Sequence, residues 1–148
     1  MRIVLGGDHA GFALKQEMRA FLESAGHQVE DVGSHDPGPV DFPDIAQMVC
    51  AAVQGGQADR GIMVCGTGVG ASIAANKIRG IRAAVCHDIH SAHQAVEHDD
   101  VNVMCLGAQI VGAWLARDLV AAFLAARFDP SEEFARRVAK LKTMEEQA

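Results

Sequence analysis

Residues 64–77 read VCGTGVGASIAANK, and this stretch decides the fold. It begins within the apolar run 61–65, which predicts a buried strand, and it continues into a run that is typical of a helix. Three glycines lie in five positions between the two. Glycines this dense at a strand-to-helix turn let the backbone close around an anion. The stretch therefore predicts a strand–turn–helix unit with Cys65 at the end of its strand.

The same alternation of apolar and amphipathic runs extends along the whole chain. We expect strands at residues 2–6, 27–32, 61–65, 81–86 and 101–107, and helices at residues 11–25, 45–53, 69–77, 91–98, 110–126 and 131–147. Ser91, with Gln94 three residues later, predicts the start of the fourth helix. Strands alternating with helices indicate a parallel sheet that is covered on both faces. The predicted fold is a single-domain (1–148) Rossmann-like three-layer αβα sandwich with a five-stranded parallel sheet.

Sheets of this kind bind ligands at the carboxyl ends of their strands. That rule brings four segments together around one crevice: residues 6–11 (GGDHAG), 65–70 (CGTGVG), 86–88 (CHD) and 106–109 (LGAQ). We expect the functional site there.

Composition excludes several classes of protein. The 148 residues carry a net charge of −6, which argues against nucleic acid or an anionic membrane as the partner. The four cysteines form no CxxC pair, so neither a zinc site nor a redox dithiol is indicated. The first residues have no signal-peptide pattern, and we expect a cytoplasmic location with reduced thiols. The predicted helix 110–126 is apolar nearly all round, which indicates a subunit interface and at least a homodimer.

Three interpretations of the glycine loop remain open from the residues alone. Residues 66–71 match the G-x-G-x-x-G/A dinucleotide pattern, with Asp88 at the end of the next strand. A purely structural turn is the second interpretation. In the third, Cys65 takes a proton from carbon, while the 66–70 backbone and the Thr67 hydroxyl hold the resulting oxyanion.

Acids and histidines elsewhere add candidates. Asp8 and His9 follow the first strand at the same sheet edge, although an N-cap Asp and a surface His fit that segment equally well. His98 and Asp99 lie at a helix end, where a histidine can simply be a favourable cation. Metal binding by His87, His90, His93 and Glu97 is a further alternative, but the H-E-x-x-H spacing of zinc proteases is absent and a solvated helix face fits better.

Taken together, the motifs resemble the type B ribose-5-phosphate isomerase family, which includes the galactose-6-phosphate isomerase subunits. The resemblance covers nearly the whole chain and rests on GDHAGFALK (7–15), DFPDIA (41–46), CGTGVGASIAANK (65–77), GIRAAVC (80–86), SA (91–92), HDDVNV (98–103) and GAQIVG (107–112). It implies metal-free and cofactor-free aldose–ketose isomerisation through a cis-enediolate. It also implies a homodimer or a homotetramer that is a pair of dimers, with active sites shared between subunits and the 131–147 helix packed on a partner.

The resemblance also implies roles for individual residues. Cys65 corresponds to the base, and His98 to the group that helps to open the sugar ring. Asp8 and His9 correspond to residues that hold the hydroxyls and the far end of the sugar. The anion-holding loop corresponds to Gly66, Thr67, Gly68, Gly70 and Ser72.

The chain departs from the family pattern at the substrate-binding positions. Phe42 stands where many members have Tyr, Asp99 where an Asn is usual, and Gln109 where an Arg is usual. Of two arginines one helical turn apart, Arg137 is present, but Glu133 replaces the other and Arg136 is adjacent. Guanidinium groups match phosphate oxygens, so these changes weaken a phosphate site. An unphosphorylated or differently phosphorylated sugar, and a non-catalytic sugar-binding module, are therefore the alternatives to a sugar phosphate isomerase.

Overall fold

The computed structural model describes residues 1–147; Ala148, the last residue of the predicted domain, lies outside them. Within this range the chain forms five strands and six helices. In chain order the elements are β1 (Arg2–Gly7), α1 (Phe12–Ser24), β2 (Gln28–Asp31), α2 (Phe42–Gln54), β3 (Arg60–Cys65), α3 (Val69–Ala75), β4 (Ala83–Val85), α4 (Ile89–Asp99), β5 (Val103–Gly107), α5 (Ala113–Ala125) and α6 (Glu132–Glu146).

All strand pairs are parallel, in the order β2-β1-β3-β5-β4, which confirms the predicted sheet. β1 and β3 are neighbours, with Gly7 opposite Val64, and β3 and β5 pair with Cys65 opposite Gly107. The chain leaves β1 toward β2 on one side and returns to β3 on the other. The topological switch point, where such sheets bind ligands, therefore lies between β1 and β3.

Two hydrophobic layers enclose the sheet. On one face α5 packs against both α1 and α4, and on the other α2 packs against α3. The central strands β3 and β5 are buried along their whole length because helices cover both of their faces. The three-layer arrangement is thus confirmed. α6 packs on α4 with only Val138 buried, so most of its surface is open in the single chain.

Several element boundaries differ from the sequence prediction. α2 begins at Phe42, with Pro43 in its first turn, where a proline needs no N–H partner. α5 begins at Ala113, since the chain turns after β5 and the Gly107 carbonyl accepts the N–H groups of Ile110 and Val111.

The predicted start of α4 at Ser91 is wrong. Asp88 caps the helix by accepting the Ser91 N–H at 2.8 Å, and the Ser91 hydroxyl also donates to its carboxylate. Among the helices of residues 1–147, none combines the length and apolar character needed to cross a membrane.

Candidate active site

The carboxyl edge of the sheet gathers most of the predicted site residues. Asp8 follows β1, Cys65 ends β3, and Gly107 ends β5, while His87 follows the edge strand β4. The parallel register places these strand ends in one row. Residues 6–11 and 65–70 flank the switch point, residues 106–109 lie next to 65–70, and residues 86–88 lie beyond them beside β5.

Cys65 occupies the centre of this edge. Its side chain is buried, with 5% of the residue exposed, and its Sγ accepts the N–H of Gly68 at 3.1 Å. Gly68 has φ = +81°, a conformation that lets the chain turn from β3 directly into α3. The first N–H groups of a helix have no partner inside that helix. The sulfur therefore lies at the turn that enters α3, where it accepts one backbone N–H.

The remaining loop residues have defined neighbours. The Gln109 side chain lies against Gly66, where a Cβ would be 3.2 Å from its Oε1 atom. The Phe42 ring covers Gly70, and a Cβ there would be 2.9 Å from the ring. Phe42 and Gln109 thus form two walls of the glycine loop.

Two further loop residues differ in exposure. Thr67 is exposed, and its hydroxyl accepts the Val69 N–H at 3.4 Å. Ser72 faces the edge strand instead, with its hydroxyl donating to the Ala83 carbonyl at 3.5 Å. Only the Thr67 hydroxyl therefore lies in the turn itself.

Asp8 and His9 occupy the β1 side of the same edge. Asp8 is buried, and its Oδ1 accepts the Gly11 N–H at 3.0 Å, just before α1 begins. His9 is exposed, and its Nδ1 accepts the Val40 N–H at 3.4 Å, which ties the ring to the long loop before α2. The His9 tautomer with the proton on Nε2 satisfies this contact, so Nε2 is a donor toward solvent.

His98 lies at the opposite edge of the sheet. α4 starts beyond the carboxyl end of β4 and runs back for 11 residues, about 15 Å at roughly 1.5 Å per residue. Arg82, just before β4, pairs with Asp100 at 2.6 Å, which places the end of α4 at the amino ends of the strands. The single chain therefore brings Cys65, Thr67, Asp8 and His9 together but does not bring His98 to them.

The surroundings of His98 include residues that the sequence prediction missed. Its ring stacks on Phe134 of α6, with centroids 4.0 Å apart and planes at 16°. Its Nε2 lies 3.6 Å from Oε2 of Glu97. Because Phe134 occupies a helix position among charged residues, nothing in its spacing indicated this contact.

Arg137 lies on α6 one turn beyond the His98 stack. Its guanidinium pairs with Glu133 at 2.5 Å, and both side chains are half exposed. The neighbouring Arg136 lies 3.9 Å from Glu132 on the same helix. Asp99 lines a groove of about 650 Å³ between the β4 edge and the end of α6, together with Arg82, Leu141 and Lys142.

The histidines considered for a metal site have other contacts. His87 accepts the Gly107 N–H on Nε2 at 3.0 Å, and His93 lies 3.6 Å from Glu97. Among residues 1–147, no three histidine, cysteine or carboxylate side chains are grouped so that they could hold an ion. The sequence placed the 86–88 segment at this edge but indicated no individual role for His87 other than that of a metal ligand; in the structure its ring is hydrogen-bonded to the last residue of β5.

Comparisons with known proteins agree with this geometry. The family model described as Ribose/Galactose Isomerase matches residues 3–141. Ribose-5-phosphate isomerase B of Escherichia coli is 46% identical over 128 residues, covering 86% of each chain. D-erythrulose-4-phosphate isomerase 2 of Mycolicibacterium smegmatis is 42% identical over 144 residues, covering 93% of each.

A solved structure, that of Clostridium thermocellum ribose-5-phosphate isomerase B, superposes with a TM-score of 0.97 at 46% identity over 99% of both chains. The similarity extends over nearly all of the sheet, the helices and the glycine loop. The chain is a member of the ribose/galactose isomerase family.

Proposed function

We propose that this protein is a cofactor-free aldose–ketose isomerase of a small sugar phosphate, of the ribose 5-phosphate/ribulose 5-phosphate type, with Cys65 as the base. The observation that carries the proposal is the position of the Cys65 sulfur. It lies at the switch point and accepts the Gly68 N–H of the 66–70 turn, with Asp8 and His9 following the neighbouring strand end.

The proposed reaction is balanced without an outside electron donor. The Cys65 thiolate takes the proton from C2 of the open-chain aldose, and the C–H electron pair forms the C1–C2 double bond. The negative charge moves to O1, where the 66–70 N–H groups and the Thr67 hydroxyl stabilise it. The thiol then returns the proton to C1, while the O2 proton moves to O1 and C2 becomes the carbonyl. Since C1 is reduced as C2 is oxidised, no redox cofactor is required.

We further propose that a second copy of the chain completes the site as a homodimer. His98 is held about one strand length from Cys65 within its own chain, so ring opening by His98 requires a two-fold-related partner. The exposed side chains of α3 and the position of α6 support such an interface. Val69 and Ile73 of α3 are more than half exposed beside the glycine loop, and α6 borders the groove next to Asp99. The free Cys50, Cys65, Cys86 and Cys105 support a cytoplasmic location.

One observation favours a different sugar. Arg137, the one arginine of the family's pair that this chain keeps, is already ion-paired with Glu133 at 2.5 Å, and Gln109 is uncharged. A site built this way binds a dianionic phosphate less strongly than one with two free guanidinium groups. An aldose with another phosphate position, or with none, is therefore the second candidate substrate.

The decisive experiment follows the C2 proton by NMR in heavy water. Ribose 5-phosphate, tetrose phosphates, hexose 6-phosphates and free pentoses are supplied to the parent protein and to Cys65→Ala. We expect turnover of a sugar phosphate by the parent and a kcat loss of about 10³-fold in Cys65→Ala, within the range for removing a general base. Cys50→Ala, at a buried cysteine in α2, is the matched control and keeps parental kcat.

Two results would contradict the proposal. Unchanged turnover in Cys65→Ala would exclude the cysteine base. Sugar binding by calorimetry without any proton exchange would indicate a binding module instead of an enzyme.

A further inference from the structure

A lysine is fully buried beneath the site. Lys15 of α1 has 0% of its surface exposed and is one of the largest buried side chains of the chain. Its aliphatic stem passes under Gly7, where a Cβ would lie 3.3 Å from Lys15 Cδ. Its ammonium group donates to Oδ2 of Asp31, the last residue of β2, whose side chain is only 4% exposed. An ion pair is thus enclosed directly below the end of β1.

Asp31 also forms a hydrogen bond with the backbone segment that leads to the site. Its Oδ1 accepts the Gly33 N–H at 3.0 Å. The Gly33 carbonyl accepts the Gly7 N–H at 2.7 Å, and the Ser34 N–H donates to the Gly7 carbonyl at 2.6 Å. Gly7 directly precedes Asp8 and His9. A continuous chain of hydrogen bonds therefore runs from the Lys15 ammonium to the backbone that carries both side chains.

The same segment forms a wall of the site. The loop that begins at Gly33 reaches Val40, whose N–H contacts His9, and ends at Phe42, whose ring covers Gly70. Asp31 anchors the first residue of this loop, and His9 and Phe42 depend on where the loop ends. Displacement of Asp31 would move the far side of the pocket without touching Cys65.

Stability alone does not explain a buried ion pair at this position. Desolvating both ions offsets most of their attraction, and apolar side chains of similar volume often serve equally well or better. An apolar pair cannot supply an oxygen atom that accepts the Gly33 N–H. Arg19, at 3.7 Å from Asp31 Oδ2, adds a second positive group on the outer side, so the carboxylate faces cations from two positions along α1.

We propose that Asp31 is a positioning residue for substrate binding, acting through Gly33 on Asp8, His9 and the 33–41 loop, with Lys15 compensating its buried charge. The inference rests on the proposed function, because it concerns the pocket in which that reaction takes place. Neither Asp31 nor Lys15 contacts the reacting carbons, so the pair sets KM more than kcat.

Two double variants separate positioning from stability. Lys15→Met/Asp31→Leu removes both charges and the acceptor for Gly33, whereas Lys15→Met/Asp31→Asn keeps an acceptor oxygen. The single variant Lys15→Met leaves the buried Asp31 carboxylate with only the partly exposed Arg19, 3.7 Å away, and its loss of stability is measured separately by melting. The matched control is Arg2→Met/Asp59→Leu, which removes the ion pair at the opposite end of β1.

We expect the Leu double variant to raise KM about tenfold, as for one lost hydrogen bond, with kcat within about threefold of the parent. Hydrogen exchange of residues 32–40 becomes at least about tenfold faster, while that of α5 is unchanged. The Asn double variant recovers most of the parental KM and exchange. The Arg2/Asp59 control keeps the parental KM.

Parental KM in the Leu double variant, or unchanged exchange at residues 32–40, would overturn the inference. So would an Asn variant with the same KM and exchange as the Leu variant, since the acceptor would then be irrelevant. If the parent turns over no sugar, the proposed function fails separately, and the exchange rates of residues 32–40 alone decide whether the Asp31 acceptor holds the loop.

Discussion

At the scale of single residues, the four cysteines differ in what surrounds each sulfur. Burial raises the pKa of Cys50 to about 11, and burial together with the nearby Asp88 carboxylate raises the pKa of Cys86 to about 11. Burial holds the pKa of Cys105 well above the usual thiol value. The Cys65 sulfur instead accepts a backbone N–H at the open edge of the sheet.

These surroundings predict selective alkylation of the native protein. The thiolate is the reactive form, and a thiol with pKa about 11 is only about one thousandth ionised at pH 8. We expect iodoacetamide at pH 8 to modify one cysteine per chain, Cys65, as identified by mass spectrometry of peptides. A bound sugar phosphate slows the reaction. Cys86 or Cys50 reacting as fast as Cys65 in the folded chain would contradict this assignment.

Another residue-scale feature concerns charge. Glu133 and Arg137 are one helical turn apart and form a close ion pair on the exposed face of α6. The sequence showed that Glu133 replaces an arginine of the family pattern, but not that its carboxylate would pair with Arg137. Side-chain pairing of this kind depends on rotamers, which spacing alone does not specify.

At the scale of secondary structure elements, the start of α1 and the end of β3 are in direct contact. A Cβ on Gly11 would lie 2.0 Å from the Val64 carbonyl oxygen and 2.9 Å from the Cys65 nitrogen. Gly11 has φ = −91°, which any residue can adopt, so the close approach of the two backbones is what requires glycine.

Gly11→Ala therefore separates α1 from the strand end that carries Cys65. We expect a loss of about 1–3 kcal/mol in unfolding free energy, because the contact is with backbone and cannot be relieved by a rotamer change. At least a tenfold loss of kcat/KM accompanies it, as Cys65 moves with Val64. Calorimetric melting and the isomerase assay measure the two effects.

Gly112→Ala is the matched control, since a Cβ there has nothing within 4 Å. Its melting temperature and activity stay close to the parental values. Gly11→Ala with parental stability and activity would show that the two elements can separate without consequence.

At the scale of the whole molecule, the two proposed catalytic residues fall on opposite edges of the sheet. α4 and α6 hold His98 at the amino edge, and β3 holds Cys65 at the carboxyl edge. In a dimer with two-fold symmetry, Cys65 of each chain would face His98 of the other chain, so the dimer would contain two complete sites.

Mixed dimers test this arrangement. Cys65→Ala and His98→Asn are each expected to be nearly inactive as homodimers. A hybrid purified through two different tags contains one site with both residues intact and recovers about half of parental activity. The melting temperature of His98→Asn checks that loss of the Phe134 stack has not unfolded the chain. A hybrid no more active than its parents would place the complete site within one chain.

The sequence predicted the fold at the level of elements and their order. Strand and helix periodicity were sufficient for five parallel strands, because buried parallel strands are continuous apolar runs. Boundaries were less accurate where loop contacts decide them. Asp88 caps α4 in place of Ser91, and the turn onto Gly107 delays α5 to Ala113.

The sequence predicted part of the candidate site. Asp8, Cys65 and Gln109 lie at or just after strand ends, and the carboxyl-edge rule places such residues together without any knowledge of packing. Lys15 was missed as part of this region, although it shares the helical face of Met18 and Leu22, where a charged residue is unexpected. Its partner Asp31 lies on another element, so no local pattern linked the two.

Local patterns in the sequence were sufficient for the family, the parallel sheet and the position of a cysteine at a glycine-rich strand end. These properties depend on local periodicity and on backbone chemistry, which neighbouring residues in the chain carry. The folded chain was needed to show that His98 is directed away from Cys65 and that Lys15 of α1 meets Asp31 of β2 in a buried ion pair. Both depend on how separate elements pack, since helix direction and buried charge pairing are set by distant parts of the chain.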